Sequence, residues 1–312
     1  MRSALSNSSV KTCPRVSVLM TIYNAGLYLE QAINSLINQS YKNWELIAVE
    51  NGSDDNSAST LAQFYDDRIK VFPFPKNIGR TPALRFALEQ ARGEYIAVLD
   101  ADDASYQERF IKQVTYLDDN PDVVLVSSGV EYIDEYSNKK SEWKCHNEPE
   151  QIYDCLGWMN PIIHSSVMYR TSIAKEVGGY PENYVYAQDF GLILLLVQKG
   201  KLVILPDILC KYRVLETSMT NIADLSIISV NENKKLLQQA SHTLNLTSMS
   251  RYKFHRAIAV YDIKMGLALI SDKKFIKGLL MVFQGFLRNP TALFYNGRFK
   301  SLCASLSRKI NV

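Results

Sequence analysis

Short apolar runs of strand length alternate with stretches whose apolar residues recur at helical spacing, and this alternation constrains the fold more than any other feature of the chain. Val16 to Ile22 reads as a buried strand, and Leu29, Ala32, Ile33, Leu36 and Ile37 follow it on one helix face. Glu45 to Val49 gives a second strand, then come the turn Asn51-Gly52-Ser53 and a helix predicted over Ser57 to Phe64. A third strand, Ile69 to Phe72, precedes a helix carrying Leu84, Ala87, Leu88 and Ala91. Strands separated by helices of this length pair in parallel, because a parallel partner needs a crossover and the crossover helix buries its apolar face on the sheet.

The next strand runs directly into acids. In Gly93-Glu94-Tyr95-Ile96-Ala97-Val98-Leu99-Asp100-Ala101-Asp102-Asp103 the apolar residues give way to carboxylates with no turn residue between. Acids at the carboxyl end of a parallel strand face the crevice in which open α/β sheets bind ligands. Asp100 and Asp102 suit a hard divalent cation, and Mg²⁺ or Mn²⁺ held this way shares its remaining sites with water and substrate phosphates. That chemistry points to a nucleotide-diphosphate ligand. Spacing alone fits equally well a set of caps for the following helix.

Farther on, Phe110, Ile111, Val114 and Leu117 predict a helix and Val123 to Val126 a strand. The polar stretch Glu131 to Cys145 reads as a strand and loop over the acceptor side of the crevice. Ser165 to Tyr169 and Leu202 to Leu205 have β character, and Phe190 to Val197 is so uniformly apolar that a helix there is buried on most faces. From about Asp224 the pattern is helical: Ile227 to Leu244, Tyr252 to Ile270 and Lys273 to Leu287, stopped by Asn289-Pro290. In the last of these, lysines border an apolar stripe. The stripe weighs toward packing against another helix, with an anionic membrane surface as the other reading.

With the acidic motif in view, the chain resembles a family 2 glycosyltransferase, whose Asp-x-Asp signature is here Asp100-Ala101-Asp102. The resemblance begins at Val16-Ser17-Val18-Leu19-Met20-Thr21-Ile22-Tyr23-Asn24 and continues through Glu50-Asn51-Gly52-Ser53-Asp54-Asp55 and Asn77-Ile78-Gly79-Arg80. Past the acids it includes Pro161-Ile162-Ile163-His164-Ser165-Ser166-Val167, Gly178-Gly179-Tyr180, Ala187-Gln188-Asp189 and Tyr212-Arg213. It implies an α/β fold of GT-A type, Rossmann-like, with a mostly parallel sheet flanked by helices over residues 14–220 and a helical extension over 221–312.

The same resemblance implies roles residue by residue. Thr21, Tyr23, Glu50, Asn51, Arg80 and Asp100 match positions that meet the donor nucleotide, and Asp102, with Asp100, the position that meets Mn²⁺ or Mg²⁺. Asp189 matches the general base that deprotonates the acceptor hydroxyl; its other reading is the N-cap of the helix that follows. Gly178-Gly179 matches a loop that lets backbone approach the donor sugar, and His164 either lines the acceptor pocket or is a satisfied structural histidine. As a lone arginine, Arg80 reads equally as solvated surface.

The chain also departs from the family pattern. Asn51 stands where an acid is usual, Gly191, Ile193 and Leu195 replace Asp, Trp and Arg, and Leu215 replaces a histidine often found among the metal ligands. The implied activity is inverting transfer of one sugar from a nucleotide-diphosphate donor to a glycan or lipid-linked acceptor in surface-polysaccharide assembly. A catalytically impaired donor-binding homologue is the alternative that Asn51, Gly191 and Leu215 favour. A sugar-phosphate nucleotidyltransferase is disfavoured because Met20 to Gly26 holds no glycine-rich phosphate loop.

Composition narrows the setting. A net charge of +3 without a basic stripe gives no reason to expect a nucleic-acid partner, and none is predicted. Cys13, Cys145, Cys155, Cys210 and Cys303 are scattered and odd in number, which fits a reducing compartment rather than a disulfide framework or a zinc site. Met1 to Lys11 is polar and no apolar run reaches about 18 residues, so neither a signal peptide nor a membrane span is predicted. A cytoplasmic protein is expected, with peripheral contact to the inner membrane face through the C-terminal helices.

Overall fold

A computed structural model describes residues 13–145, 149–216 and 226–292. Met1 to Lys11, Cys303 and the expected domain boundary near residue 220 lie outside these residues. Four parallel strands form the first half of the sheet: β1 (Val16–Ile22), β2 (Trp44–Asn51), β3 (Ile69–Phe74) and β4 (Tyr95–Val98). The intervening helices are α1 (Leu29–Ile37), α2 (Ser57–Leu61) and α3 (Arg80–Gln90). Both faces of β1, β2 and β4 are buried, as expected of a sheet covered by helices on either side.

The second half is made by β5 (Ala104–Ser105), α4 (Arg109–Asp119), β6 (Val123–Ile133), β7 (Lys139–Trp143), α5 (Pro149–Leu156), β8 (Met168–Arg170), α6 (Thr171–Glu176), α7 (Gln188–Leu196) and β9 (Lys201–Arg213). Strand order is β3-β2-β1-β4-β8-β6-β9-β5, with β7 on β6. β8 runs antiparallel between β4 and β6, whereas β6 and β9 are parallel. β6 and β9 are much longer than their apolar segments predict. Ser127, Ser128 and Gly129 interrupt the apolar pattern, but the long ladder with β9 continues through them and they are buried. The stretch from Glu131 is the end of β6 and its hairpin with β7.

Three further helices follow: α8 (Ile227–Thr243), α9 (Ser248–Ser271) and α10 (Phe275–Arg288). Leu236, Leu237 and Ala240 of α8 and Ile258 of α9 share one apolar cluster with Val98 of β4 and Phe190 of α7, so the extension packs into the same core as the sheet. Among the described residues no helix is long and apolar enough to cross a membrane. The stripe on α10 departs from the expectation of helix packing. Gly278 and Gly285 are its buried residues, and Leu279, Leu280 and Phe283 face outward.

Candidate active site

Parallel register sets the carboxyl ends of β2, β1 and β4 side by side, because Ile22 is level with Glu50 and Leu19 with Val98. Thr21 lies at the end of β1 and Tyr23 just after it, Glu50 and Asn51 end β2, and Asp100 follows β4, so these expected donor contacts line one edge of the sheet. Tyr23 is half exposed there. The two loops at this edge are stapled together. Asn24 N–H donates to Ser53 Oγ at 3.1 Å, Gly26 N–H to Asp55 Oδ2 at 2.9 Å, and Ala25 N–H to Ser57 Oγ at 3.0 Å.

Two expected donor contacts are committed within the protein. Glu50 accepts from Ser53 N–H at 2.7 Å, which closes the turn after β2. Asn51 is buried and donates to Asn77 Oδ1 at 3.1 Å while accepting from Ile78 N–H at 3.0 Å. Its amide therefore ties down the loop that delivers Arg80, a positioning task at the place where the base contact is expected.

Arg80 is not solvated surface. Its Nη2 donates to both carboxylate oxygens of Asp100, at 2.6 and 2.7 Å, and lies 3.4 Å from His164 Nδ1. Burial penalises the charge on Asp100, but the Arg80 guanidinium and the hydrogen bonds from Arg80 and Ser165 outweigh it and hold this carboxyl below its ordinary pKa. Since arginine only donates, His164 Nδ1 is the acceptor and Nε2–H faces Tyr180 Oη at 3.0 Å. Burial keeps His164 below its ordinary pKa and so neutral. This histidine is both structurally satisfied and part of the cavity wall.

The acids are not helix caps. The N-cap of α4 is Glu108, with no side-chain cap bond, and Asp100, Asp102 and Asp103 instead bring carboxylate oxygens within 4.8 Å of one another. Burial first, then Asp100, pushes Asp102 up to about 6. Asp103 is buried; its Oδ1 accepts from Arg213 N–H at 2.7 Å, while its buried Oδ2 has no partner. Hard oxygen donors this crowded, one of them buried without a partner, fit Mn²⁺ or Mg²⁺.

Arg213, which the sequence places in a motif without a role, is a staple. Fully buried, it donates from Nε to the Asp102 carbonyl at 2.8 Å and from Nη1 to the Asp134 carbonyl at 2.8 Å, reaches Gln31 with Nη2, and stacks over the Tyr28 ring at 4.4 Å. It fixes the acid loop to α1 and to the β6–β7 turn, and it keeps the segment leading to Leu215 beside the acids. Arg109 does the same from below, donating to the carbonyls of Val98 and Val167 at 2.9 Å each.

Asp189 lies in the first turn of α7. The N-cap position is Ala187, and no side-chain cap bond forms, so the capping reading of Asp189 fails. Its carboxylate accepts from Asn160 Nδ2 at 3.5 Å. A cavity of about 350 Å³ is lined by Arg80, Asp100, His164, Asp189 and Tyr212, and by Tyr261 and Lys264 of α9. Ile193 is buried in the core and Gly191 fits closely against Pro181 and Tyr184, so the apolar replacements on α7 serve packing. Gly178 and Gly179 lie elsewhere. With φ of 87° and 73° they end α6 against Arg85 and Leu88 of α3, outside this cavity.

Another residue escaped the sequence reading. Glu232 of α8 is buried and accepts three backbone N–H bonds, from Val185 at 2.8 Å, Tyr186 at 2.9 Å and Ala187 at 3.1 Å. It clamps the loop that leads into Gln188-Asp189. Its signal in the sequence is an acid in register with Leu236 and Ala240 on a helix face that is otherwise core.

The model of Glycosyl transferase family 2 matches residues 17–178. The chain belongs to glycosyl transferase family 2. This glycosyltransferase is 30% identical over 202 residues to the amylovoran biosynthesis glycosyltransferase AmsE of Erwinia amylovora, covering 63% of this chain and 75% of that relative. Among solved structures it resembles S. aureus TarS 1-349 in complex with UDP-GlcNAc, with a TM-score of 0.65 at 18% identity over 87% of this chain and 81% of that one. It also resembles the mannosyltransferase PcManGT from Pyrobaculum calidifontis in complex with GDP-Man and Mn²⁺, with a TM-score of 0.59 at 19% identity over 97% and 82% of the two chains. These likenesses establish the GT-A fold. One relative is named for amylovoran biosynthesis, and two proteins of the same fold are solved with nucleotide sugars, one of them together with Mn²⁺.

Proposed function

We propose that this chain moves one sugar, with inversion, from a nucleotide-diphosphate donor to a hydroxyl of a glycan or lipid-linked acceptor, on the cytoplasmic side of a membrane where surface polysaccharide is assembled. The observation that carries the reading is one cavity lined by the Arg80–Asp100 pair and by Asp189 together. The nucleotide lies along the strand ends at Thr21 and Tyr23, and the Asn51-held loop sets Arg80 against Asp100 at its edge. Asp102, with Asp103 and Asp100 beside it, would hold Mn²⁺ or Mg²⁺, which supplies positive charge to the departing diphosphate. Asp189 takes the proton of the acceptor hydroxyl as that oxygen attacks the anomeric carbon from the face opposite the leaving group. The neutral His164 and the amide of Asn160 orient polar groups in the cavity without competing for the proton.

The test is Asp189→Asn, which preserves shape and removes the base. Single-turnover transfer is expected to fall about 10²- to 10⁴-fold, with donor affinity and melting temperature unchanged. Transfer at the parental rate would remove Asp189 from the mechanism. No transfer by the parent from any nucleotide sugar, with donor binding intact, would favour the binding homologue that Leu215 suggests.

A further inference from the structure

Helix α10 is held to α9 by its glycines. A Cβ on Gly278 would lie 2.6 Å from the Gly266 carbonyl oxygen, and one on Gly285 would lie 2.7 Å from that of Ala259, so the two backbones touch where these residues have no side chain. The opposite face carries Phe275, Ile276, Leu279, Leu280, Phe283 and Leu287, each more than half exposed among the described residues; Ile276 is 79% and Leu287 66% exposed. At 3.6 residues per turn these positions share one arc of about 140°. Lys273 and Lys277 border that arc, both exposed. An apolar surface of this extent is not left to water without a partner.

Charge indicates the partner. Residues 273–312 contain eight Lys or Arg and no Asp or Glu, whereas the rest of the chain has five more acids than bases. A second copy would meet this face with the same basic border, and residues 293–312 of the chain itself are basic too, with Arg298, Lys300, Arg308 and Lys309. An anionic surface is complementary to both features. We propose that the outer face of α10 lies in the headgroup region of an anionic phospholipid bilayer, its apolar residues in the acyl boundary and Lys273 and Lys277 at the phosphates. Through the glycine contacts with α9, which contributes Tyr261 and Lys264 to the cavity wall, this docking would hold the cavity beside the membrane surface. The inference is independent of sugar transfer, because binding is read without turnover.

The test is flotation of the full chain with vesicles of phosphatidylcholine and phosphatidylglycerol, beside vesicles of phosphatidylcholine alone. Binding is expected only to the anionic vesicles and should weaken as salt is raised. Ile276→Gln, Leu280→Gln and Phe283→Gln combined should lower it by about two orders of magnitude, and Lys273→Gln or Lys277→Gln by about fivefold each. Melting temperature and donor affinity should not change, since these side chains touch neither core nor cavity. Equal binding to both vesicles, or none, overturns the proposal. So does a parent that sediments as a dimer and becomes a monomer in the apolar variant, which would assign the face to a second copy. Unchanged vesicle binding by the apolar variant, with binding lost on truncation after Ala292, would place the contact in residues 293–312 and equally overturn it.

Discussion

Glu232→Gln tests whether the helical extension is part of the catalytic apparatus. The Glu232 carboxylate takes Val185 N–H on one oxygen and Tyr186 and Ala187 N–H on the other, directly before the turn of α7 that carries Asp189. A glutamine of the same length keeps one acceptor oxygen but turns an NH₂ toward the remaining N–H. One charge-assisted bond is lost and the others weaken, about 1.5–3 kcal/mol in all, against about 1 kcal/mol for a neutral bond. The affected backbone is the lead-in to Asp189, so we expect the penalty to appear as misplacement of the base. The expected outcome is a kcat about 10- to 100-fold lower with donor KM nearly unchanged, and faster amide exchange at residues 185–187. In an Asp189→Asn background the same substitution should have little further effect on kcat, because the positioned group is already gone. Equal fold-losses in both backgrounds would refute the positioning role. A lowered melting temperature with parental kcat would show that the clamp serves only to dock α8.

Asp102→Ala should abolish the Mn²⁺-dependent part of nucleoside-diphosphate affinity in calorimetric titration. In chelator it should raise stability by about 1 kcal/mol, since one of three crowded carboxylates is gone; unchanged metal dependence would move the ion elsewhere. Glu45 is buried, and although burial opposes its charge, bonds from Arg92, Lys70 and Ser17 hold its carboxyl at about 2 against an ordinary 4.5. A depressed folded-state pKa gives stability that is complete above 4.5 and is lost as pH falls toward 2. Glu45→Gln should therefore cost about 1–3 kcal/mol at pH 7 and flatten the acid limb of the unfolding curve. Parallel curves for parent and variant would refute this.

The parts of this molecule that were legible in the sequence are those written in local pattern. The β1–α3 alternation, the acid-tipped strand and the three C-terminal helices follow from apolar spacing, and Asp100, Asp102 and Asp189 stand in motifs whose order survives. What was not legible depends on partners distant in the chain. The full length of β6 and β9 is set by pairing with each other rather than by their own residues, which is why Ser127 to Gly129 look like an interruption. Arg80 reads as surface until the Asn51-held loop folds it onto Asp100, twenty residues away. Arg213 and Glu232 are charged groups at core depth, which no hydropathy pattern predicts, yet each accounts for several backbone bonds that would otherwise be unpaired near the cavity. Such residues are visible in a sequence only as charges on faces that should be apolar. In this chain both stand where one segment must be fixed to another: Arg213 joins the acid loop to α1, and Glu232 joins α8 to the loop before Asp189. The extension thus contributes to the site through the clamp of Glu232 and the cavity wall of α9, and removing it should cost turnover before it costs nucleotide affinity, because the strand ends at Thr21 and Tyr23 and the Arg80–Asp100 pair, where we propose the nucleotide lies, are built without it.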